Sequence, residues 1–276
     1  MRDKGTETAT RGESESLPET RLRLLDKVAL VTGGDTGIGR AICLAFAREG
    51  ASVVVDYVGD RLPARQLVEE LESLGARAVA VAADVSKPDE VERLVQTAVA
   101  AYDGIDILVN NAGVEEQHPF LEMPLEVWNH VLAVNLTGVW LCTQAAARQM
   151  VARGRGGRII NISSVHEEMA MPTNAPYCAA KGGVRMLMRT VAVELAPYGI
   201  TVNDVAPGAI DTPMDARLKS DPGKMRELLS EIPLGRMGRP EEVAGLCVFL
   251  ASGAAAYVTG ATYVIDGGMM KNAGTL

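Results

Sequence analysis

Apolar and polar positions along the chain switch between two rhythms. Short unbroken apolar runs, "KVALVT" from residue 27 and "SVVVDY" from residue 52, predict strands buried on both faces. Between them, "IGRAICLAFAREG" spaces its apolar residues as a helix does and closes on Gly50. The exchange then repeats. The helix pattern "ARQLVEELESLG" stops at Gly75, "RAVAVAAD" is a third strand, and Pro88 opens a helix that runs to about Ala101. "IDILVNNAG" supplies a fourth strand. A long helix follows from Leu125 to Ala152, and then the strand "GRIINISS". Asn174 and Pro176 start a helix reaching Pro197, and the strands "ITVNDVAPG" and "TYVID" flank the helix "PEEVAGLCVFLAS". Apolar strands alternating with amphipathic helices imply a parallel sheet covered on both faces. The predicted class is α/β: a Rossmann-type, doubly wound, mostly parallel sheet of seven strands.

Two segments break the rhythm. Residues 1–25 are charged and rich in Ser and Thr, which predicts a flexible tail or an arm lying on a neighbour, ahead of one domain over 26–276. Residues 211–238 are rich in charge, proline and glycine and follow a strand's carboxyl end, where such folds place ligands. A long insertion there is expected to be a substrate lid or a solvated excursion.

Composition narrows the chemistry. A net charge of -8 and a pI near 5.1 argue against nucleic acid, and the basic run "RGRGGR" at 153–158 reads as a solvated helix end. The four cysteines are scattered and form no ligand motif or disulfide framework, which suits a reducing cytoplasm. Three histidines without a cysteine cluster leave no metal site to propose. No apolar stretch has the length of a membrane span.

Two motifs remain. "TGGDTGIG" at 32–39 joins the first strand to the first helix, where glycines let a pyrophosphate approach the backbone and the helix N-terminus. In "SSVHEEMAMPTNAPYCAAKGG" at 163–183, Tyr177 and Lys181 lie one helical turn apart on one face. The lysine charge favours the phenolate, so the pair can act as a proton-transfer device.

The Thr-Gly-x-x-x-Gly-Ile-Gly turn, "NNAG" at 110–113, Asn135, Ser164, Tyr177 with Lys181, and "PG" at 207–208 occur in this order at the expected strand ends. Together they resemble the short-chain dehydrogenase/reductase family over nearly the whole chain from residue 27. The resemblance implies an oxidoreductase that moves hydride between a nicotinamide cofactor and an alcohol or carbonyl. It implies catalysis by Asn135, Ser164, Tyr177 and Lys181. Ser164 would hold the substrate oxygen, Tyr177 would exchange the proton, Lys181 would lower the tyrosine's pKa and bind the ribose, and Asn135 would hold a relay water.

The same resemblance implies cofactor contacts at Gly33, Asp35, Thr36, Gly37, Ile38 and Gly39 of the turn, and at Asp84 and Val85 beside adenine. It adds Asn110, Asn111, Ala112 and Gly113 near the adenosine ribose, Pro207 and Gly208, and Ile210 and Thr212 around the carboxamide. At the end of the second strand Tyr57 takes the place of the family's ribose-binding acid, with Asp56 one step earlier. Thr36 stands where NADP-preferring members often carry a basic residue. The expected cofactor is NAD in preference to NADP, although Arg61 could reach a 2′-phosphate.

"SSVHEE", "PGAIDTP", "IPLGRMGRPEEVA" and "YVTGATYVIDGGM" resemble the glucose 1-dehydrogenases of that family. Glu115, His166 and Asp211 are expected to join Ser164 and Tyr177 at the substrate, giving oxidation of the C1 hydroxyl of an aldose, glucose first, to the lactone. The small or constrained residues after Met171 depart from that pattern and could widen the pocket. The alternatives are a 3-oxoacyl reductase or broad ketoreductase and, from another class, a non-catalytic nucleotide-sensing protein. The long helices imply a homotetramer, or failing that a dimer.

Overall fold

The computed structural model describes residues 22–213 and 219–271. Its strands are β1 (Val28–Val31), β2 (Ser52–Tyr57), β3 (Ala78–Ala82), β4 (Ile107–Asn110), β5 (Gly157–Ile162), β6 (Ile200–Pro207) and β7 (Thr262–Ile265). They form one seven-stranded sheet in the order β3-β2-β1-β4-β5-β6-β7, every pair parallel. All seven strands coincide with the predicted runs.

The helices are α1 (Gly37–Arg48), α2 (Arg61–Ser73), α3 (Pro88–Tyr102), α4 (Leu125–Leu132), α5 (Val139–Arg153), α6 (Ala175–Leu195), α7 (Pro222–Glu231) and α8 (Pro240–Ala251). Alternate strand residues face opposite layers. Ala29, Val31, Val53 and Val55 pack with Ile42 and Phe46 of α1, Leu67 of α2 and Val243 of α8. Leu30, Val54, Leu108 and Ile159 pack with Leu94 of α3, Met150 of α5 and Met188 of α6. Each such fully buried Val, Leu, Ile, Phe or Met side chain contributes ~1.5–3 kcal/mol of apolar transfer. The two layers explain why the strands read as unbroken apolar runs.

Three departures from the pattern matter. Leu24 is already buried and its N–H bonds the Glu49 carbonyl, so packing begins upstream of residue 26; residues 1–21 of the expected tail lie outside the described residues. The predicted helix 125–152 is divided by a π-helical stretch, Ala133–Gly138, which joins α4 to α5 and contains Asn135. Within 211–238 the chain forms α7, while 214–218 of the expected lid lie outside the described residues.

Strand order reverses between β1 and β4. Loops leaving their carboxyl ends diverge to opposite faces there, which opens a crevice.

Candidate active site

That crevice is a cavity of about 680 Å³ running from the β1–α1 turn to the start of α6. At one end the turn is built by backbone geometry. Gly33 and Gly37 have positive φ, 55° and 50°. A Cβ at Gly39 would stand 2.2 Å from the Gly33 carbonyl oxygen, so only glycine lets α1 begin against the turn. Thr36, the N-cap of α1, makes no side-chain capping bond, so the first N–H groups of the helix are left for a ligand. Asn111 Nδ2 donates to the carbonyls of Thr32 and Gly33 at 3.0 and 2.8 Å, and Thr32 Oγ1 accepts from the N–H of Asn111 and Ala112. These bonds tie the end of β4 to the glycine turn.

Gly33, Asp35, Thr36, Gly37, Ile38, Asp56, Asp84, Val85, Asn111, Ala112, Gly113, Pro207, Gly208, Ile210 and Thr212 all line the cavity, as the sequence implied. Gly39 instead packs behind the turn. Two more expected cofactor contacts are placed elsewhere. Asn110 is buried, its Nδ2 donating to Thr143 Oγ1 at 2.9 Å and Asn161 Oδ1 at 2.8 Å, because the strand alternation turns it into the α5 layer. Tyr57 is buried away from the cavity for the same reason, and Asp56 faces the wall instead. Asp56 Oδ2 accepts from the N–H of Gly33 at 3.2 Å, and Oδ1, buried, has no hydrogen-bond partner among the described residues. Burial, with the nearby Asp35 charge, pushes the Asp56 carboxyl up to about 7.

At the other end the arrangement depends on side chains. Ser164 and Tyr177 line the cavity with Lys181, whose Nζ lies 5.5 Å from the Tyr177 ring centroid and donates to the Ile162 carbonyl at 2.8 Å. Lys181 is 5% exposed, and burial pulls it down to about 8. Ser164 Oγ accepts from the N–H of His166 at 3.2 Å, which leaves its proton to be donated. Asn135 is fully buried; its amide donates to the Val114 carbonyl and accepts from the Val114 N–H, both at 2.8 Å. Its side chain therefore fixes the loop after β4 and does not line the cavity.

Glu115 and His166 also line the cavity. Glu115 Oε1 accepts from Asn174 and Gln117, at 3.3 and 3.0 Å. His166 Nδ1 lies 3.3 Å from the Met169 carbonyl, which accepts a hydrogen bond from it in the tautomer that leaves Nε2 as an acceptor. The His166 and Tyr177 rings stand edge to face with centroids 6.3 Å apart. Asp211 does not join this group: it is exposed and paired with Lys219, since it lies just beyond the β6 loop on the outer side.

Sequence reasoning missed Leu228 of α7 and Met269 near the C-terminus, which close the cavity. Leu228 lies in the segment expected to cover the substrate, so the general location was visible and the residue was not. Glu167 was missed too. Its carboxylate accepts from Ser163 Oγ at 2.6 Å and pairs with Arg185, bracing the turn that carries His166.

A dinucleotide-sized cleft at the strand-order reversal, with a tyrosine and a lysine at its inner end, defines a nicotinamide-dependent oxidoreductase. The chain belongs to the short-chain dehydrogenase/reductase family. The family model described as "Enoyl-(Acyl carrier protein) reductase" matches residues 33–270. The chain is 44% identical over 252 residues to L-rhamnose 1-dehydrogenase (NAD(P)(+)) of Azotobacter vinelandii, covering 90% of this chain and 98% of that one. It is 48% identical over 248 residues to 3-oxoacyl-[acyl-carrier-protein] reductase of Synechocystis sp., with the same coverage of 90% and 98%. A gluconate 5-dehydrogenase from Burkholderia cenocepacia, solved with NADP and tartrate, superposes with a TM-score of 0.86 at 38% identity, covering 91% of this chain and 98% of that one.

Proposed function

We propose that this enzyme oxidises the C1 hydroxyl of an aldose to the lactone, with NAD preferred to NADP. The observation that carries the substrate class is the pair of polar groups, Glu115 and His166, in the cavity that also holds Tyr177. Both are held by their neighbours with acceptor atoms left for hydroxyl groups. An apolar ketone would leave them buried and unpaired, which is how such a site rejects it. The similarity to an L-rhamnose 1-dehydrogenase supports a sugar, while the similarity to a 3-oxoacyl reductase keeps a β-keto thioester as the rival.

The cleft fits a dinucleotide: α1 offers N–H groups that no N-cap side chain satisfies, and Asp56 lines the wall beside the glycine turn. The glycine turn would hold the pyrophosphate, Asp56 the adenosine ribose, and Lys181 the nicotinamide ribose. When bound, the nicotinamide supplies the hydride acceptor. Ser164 donates to the substrate oxygen and orients the hydroxyl. Tyr177 removes the hydroxyl proton, its phenolate favoured by the Lys181 ammonium. Asn135 holds the loop after β4 and keeps its own helix turn fixed beneath the pair. A 2′-phosphate would meet Asp56 with Asp35 close by, which supports the NAD preference.

The assembly we propose is a homotetramer. Trp140 of α5 and Met186 and Val193 of α6 are exposed at 44%, 61% and 75%, and Val264 at the β7 edge is exposed at 45%, so two separate apolar faces await partners. Four free cysteines fit the reducing cytoplasm we infer as its setting.

The test is a steady-state panel of D-glucose, L-rhamnose, gluconate and an acetoacetyl thioester with both cofactors. Turnover of an aldose with NAD supports the reading. Activity on the thioester alone overturns the substrate assignment and leaves the oxidoreductase standing.

A further inference from the structure

Glu167 is an acid on the turn after β5, its side chain only 2% exposed, and the steps above do not use it. A buried carboxylate is costly unless charge and hydrogen bonds offset it, so its partners show what it holds. Glu167 Oε2 accepts from Ser163 Oγ at 2.6 Å. The Glu167 N–H donates to the Ser164 carbonyl at 3.0 Å. One residue thus grips both serines at the end of β5, by side chain and by backbone. Two further bonds close the turn: the Met169 N–H donates to the Val165 carbonyl at 2.9 Å, and the His166 N–H donates to Ser164 Oγ at 3.2 Å.

The other half of the arrangement is on α6. Tyr177, Lys181 and Arg185 follow one another at four-residue spacing along one side of that helix. The first two line the cavity. Arg185, one turn further on, reaches across to the serine turn. Its Nε stands 3.5 Å from Glu167 Oε1, an ion pair without a hydrogen bond, and its Nη1 stands 2.5 Å from Glu168 Oε1. Glu168 is exposed, so the pairing that matters is the one with buried Glu167. Ser164 and Tyr177 sit on separate elements, and these contacts join the two elements behind the cavity.

We propose that Glu167 and Arg185 are positioning residues that fix the Ser164 hydroxyl relative to Tyr177. This rests on Ser164 and Tyr177 acting at the substrate oxygen, and not on that oxygen belonging to a sugar. Both groups have to meet one oxygen atom, and a misplacement on the order of 1 Å costs about 10²-fold in rate. Arg185 is on the tyrosine's own helix, and Glu167 is bonded to both serines. A movement of α6 therefore carries the serine turn with it, and the two groups keep their spacing. The turnover number depends on that spacing, while the glycine turn that holds the cofactor does not.

The experiment uses the full chain with both charges removed, Glu167→Gln together with Arg185→Met. Glutamine keeps an acceptor for Ser163, and losing both partners leaves no buried charge unpaired, so the melting temperature is expected to stay within about 5 °C of the parent's. A brace that served stability alone would then leave turnover intact. The proposal instead expects kcat to fall at least about tenfold with NADH affinity unchanged. Turnover is read with L-rhamnose and NAD, and with an acetoacetyl thioester and NADH, so either substrate serves. In a Ser164→Ala background the same pair of changes is expected to lower kcat less than about twofold, because no hydroxyl is left to aim. An unchanged kcat in the paired variant overturns the proposal, and so does the full tenfold loss added to that of Ser164→Ala. Hydrogen exchange of the unmutated protein needs neither variant nor substrate. The Glu167 and Met169 amides are expected to exchange at least ~10²-fold more slowly than an unstructured chain, and free exchange there overturns the proposal too. Failure of the aldose reading shows separately, as turnover of the thioester alone.

Discussion

Two buried acids mark the two ends of the cleft, and they are used differently. Asp56 lies at the cavity wall, one oxygen on the Gly33 N–H and the other without a partner. Asp204 lies behind the wall, one oxygen on Asn161 and the other likewise without a partner, but under the attraction of Lys181. The first is among the residues lining the cavity, with its unpartnered oxygen shut away from solvent. The second lies within the sheet, fully buried and outside the cavity lining. The same contrast runs through the two regions. The cofactor end is shaped by glycine backbone and helix N–H groups, whereas the reaction end is shaped by side chains that other side chains hold.

The contrast breaks most sharply at Tyr177. Tyr177→Phe is expected to lower turnover at least ~10²-fold, the scale of a lost positioned acid–base group, while NADH affinity measured by calorimetry stays within about threefold. A parallel loss of cofactor binding would merge the two ends into one unit. Gly39→Ala strikes the other end. The added Cβ meets the Gly33 carbonyl at 2.2 Å, so NADH affinity is expected to fall about thirtyfold, equivalent to ~2 kcal/mol, with the circular dichroism of the sheet retained.

Smaller effects sharpen the picture. His166→Ala removes one acceptor for a sugar hydroxyl and is expected to raise the sugar KM about tenfold with kcat changed less. An unchanged KM would show that the imidazole does not touch substrate. Asp56→Asn is expected to shift the NAD-to-NADP efficiency ratio about fivefold toward NADP. It also carries a pH signature. The folded Asp56 carboxyl is raised to about 7 from its ordinary 3.8, so its contribution to stability is present below about 4 and is lost as pH rises through about 7. The variant's melting temperature should therefore gain on the parent's across that window, and a constant difference between pH 4 and 8 would contradict it.

What the sequence disclosed follows the same division. Strands buried on both faces advertise themselves as apolar runs, and the glycine turn is a local motif, so β1 to β7 and many residues of the cavity wall were legible. Asn110 and Tyr57 were misplaced because one step along a strand moves a side chain to the other face, and motif membership does not record that step. Asp211 was expected beside the substrate, yet an exposed partner, Lys219, takes its carboxylate. Asn135 was found by motif, but the π-helical turn around it was not, since its sequence reads as ordinary helix. Asp204 stood in plain view as an acid within "ITVNDVAP"; its hydrogen bond from Asn161 needed the neighbouring strand, which only the tertiary structure brings beside it.

The central claim is that hydride leaves C1 of an aldose in a reaction whose proton goes to Tyr177. Its most direct test is mass analysis of the reduced cofactor formed from NAD and an aldose deuterated at C1, with D-glucose and L-rhamnose each supplied in that form. Deuterium appearing in the reduced nicotinamide with the parent chain, and not with Tyr177→Phe, is the predicted result. Unlabelled reduced cofactor, or none from either sugar while an acetoacetyl thioester is reduced, would contradict the account.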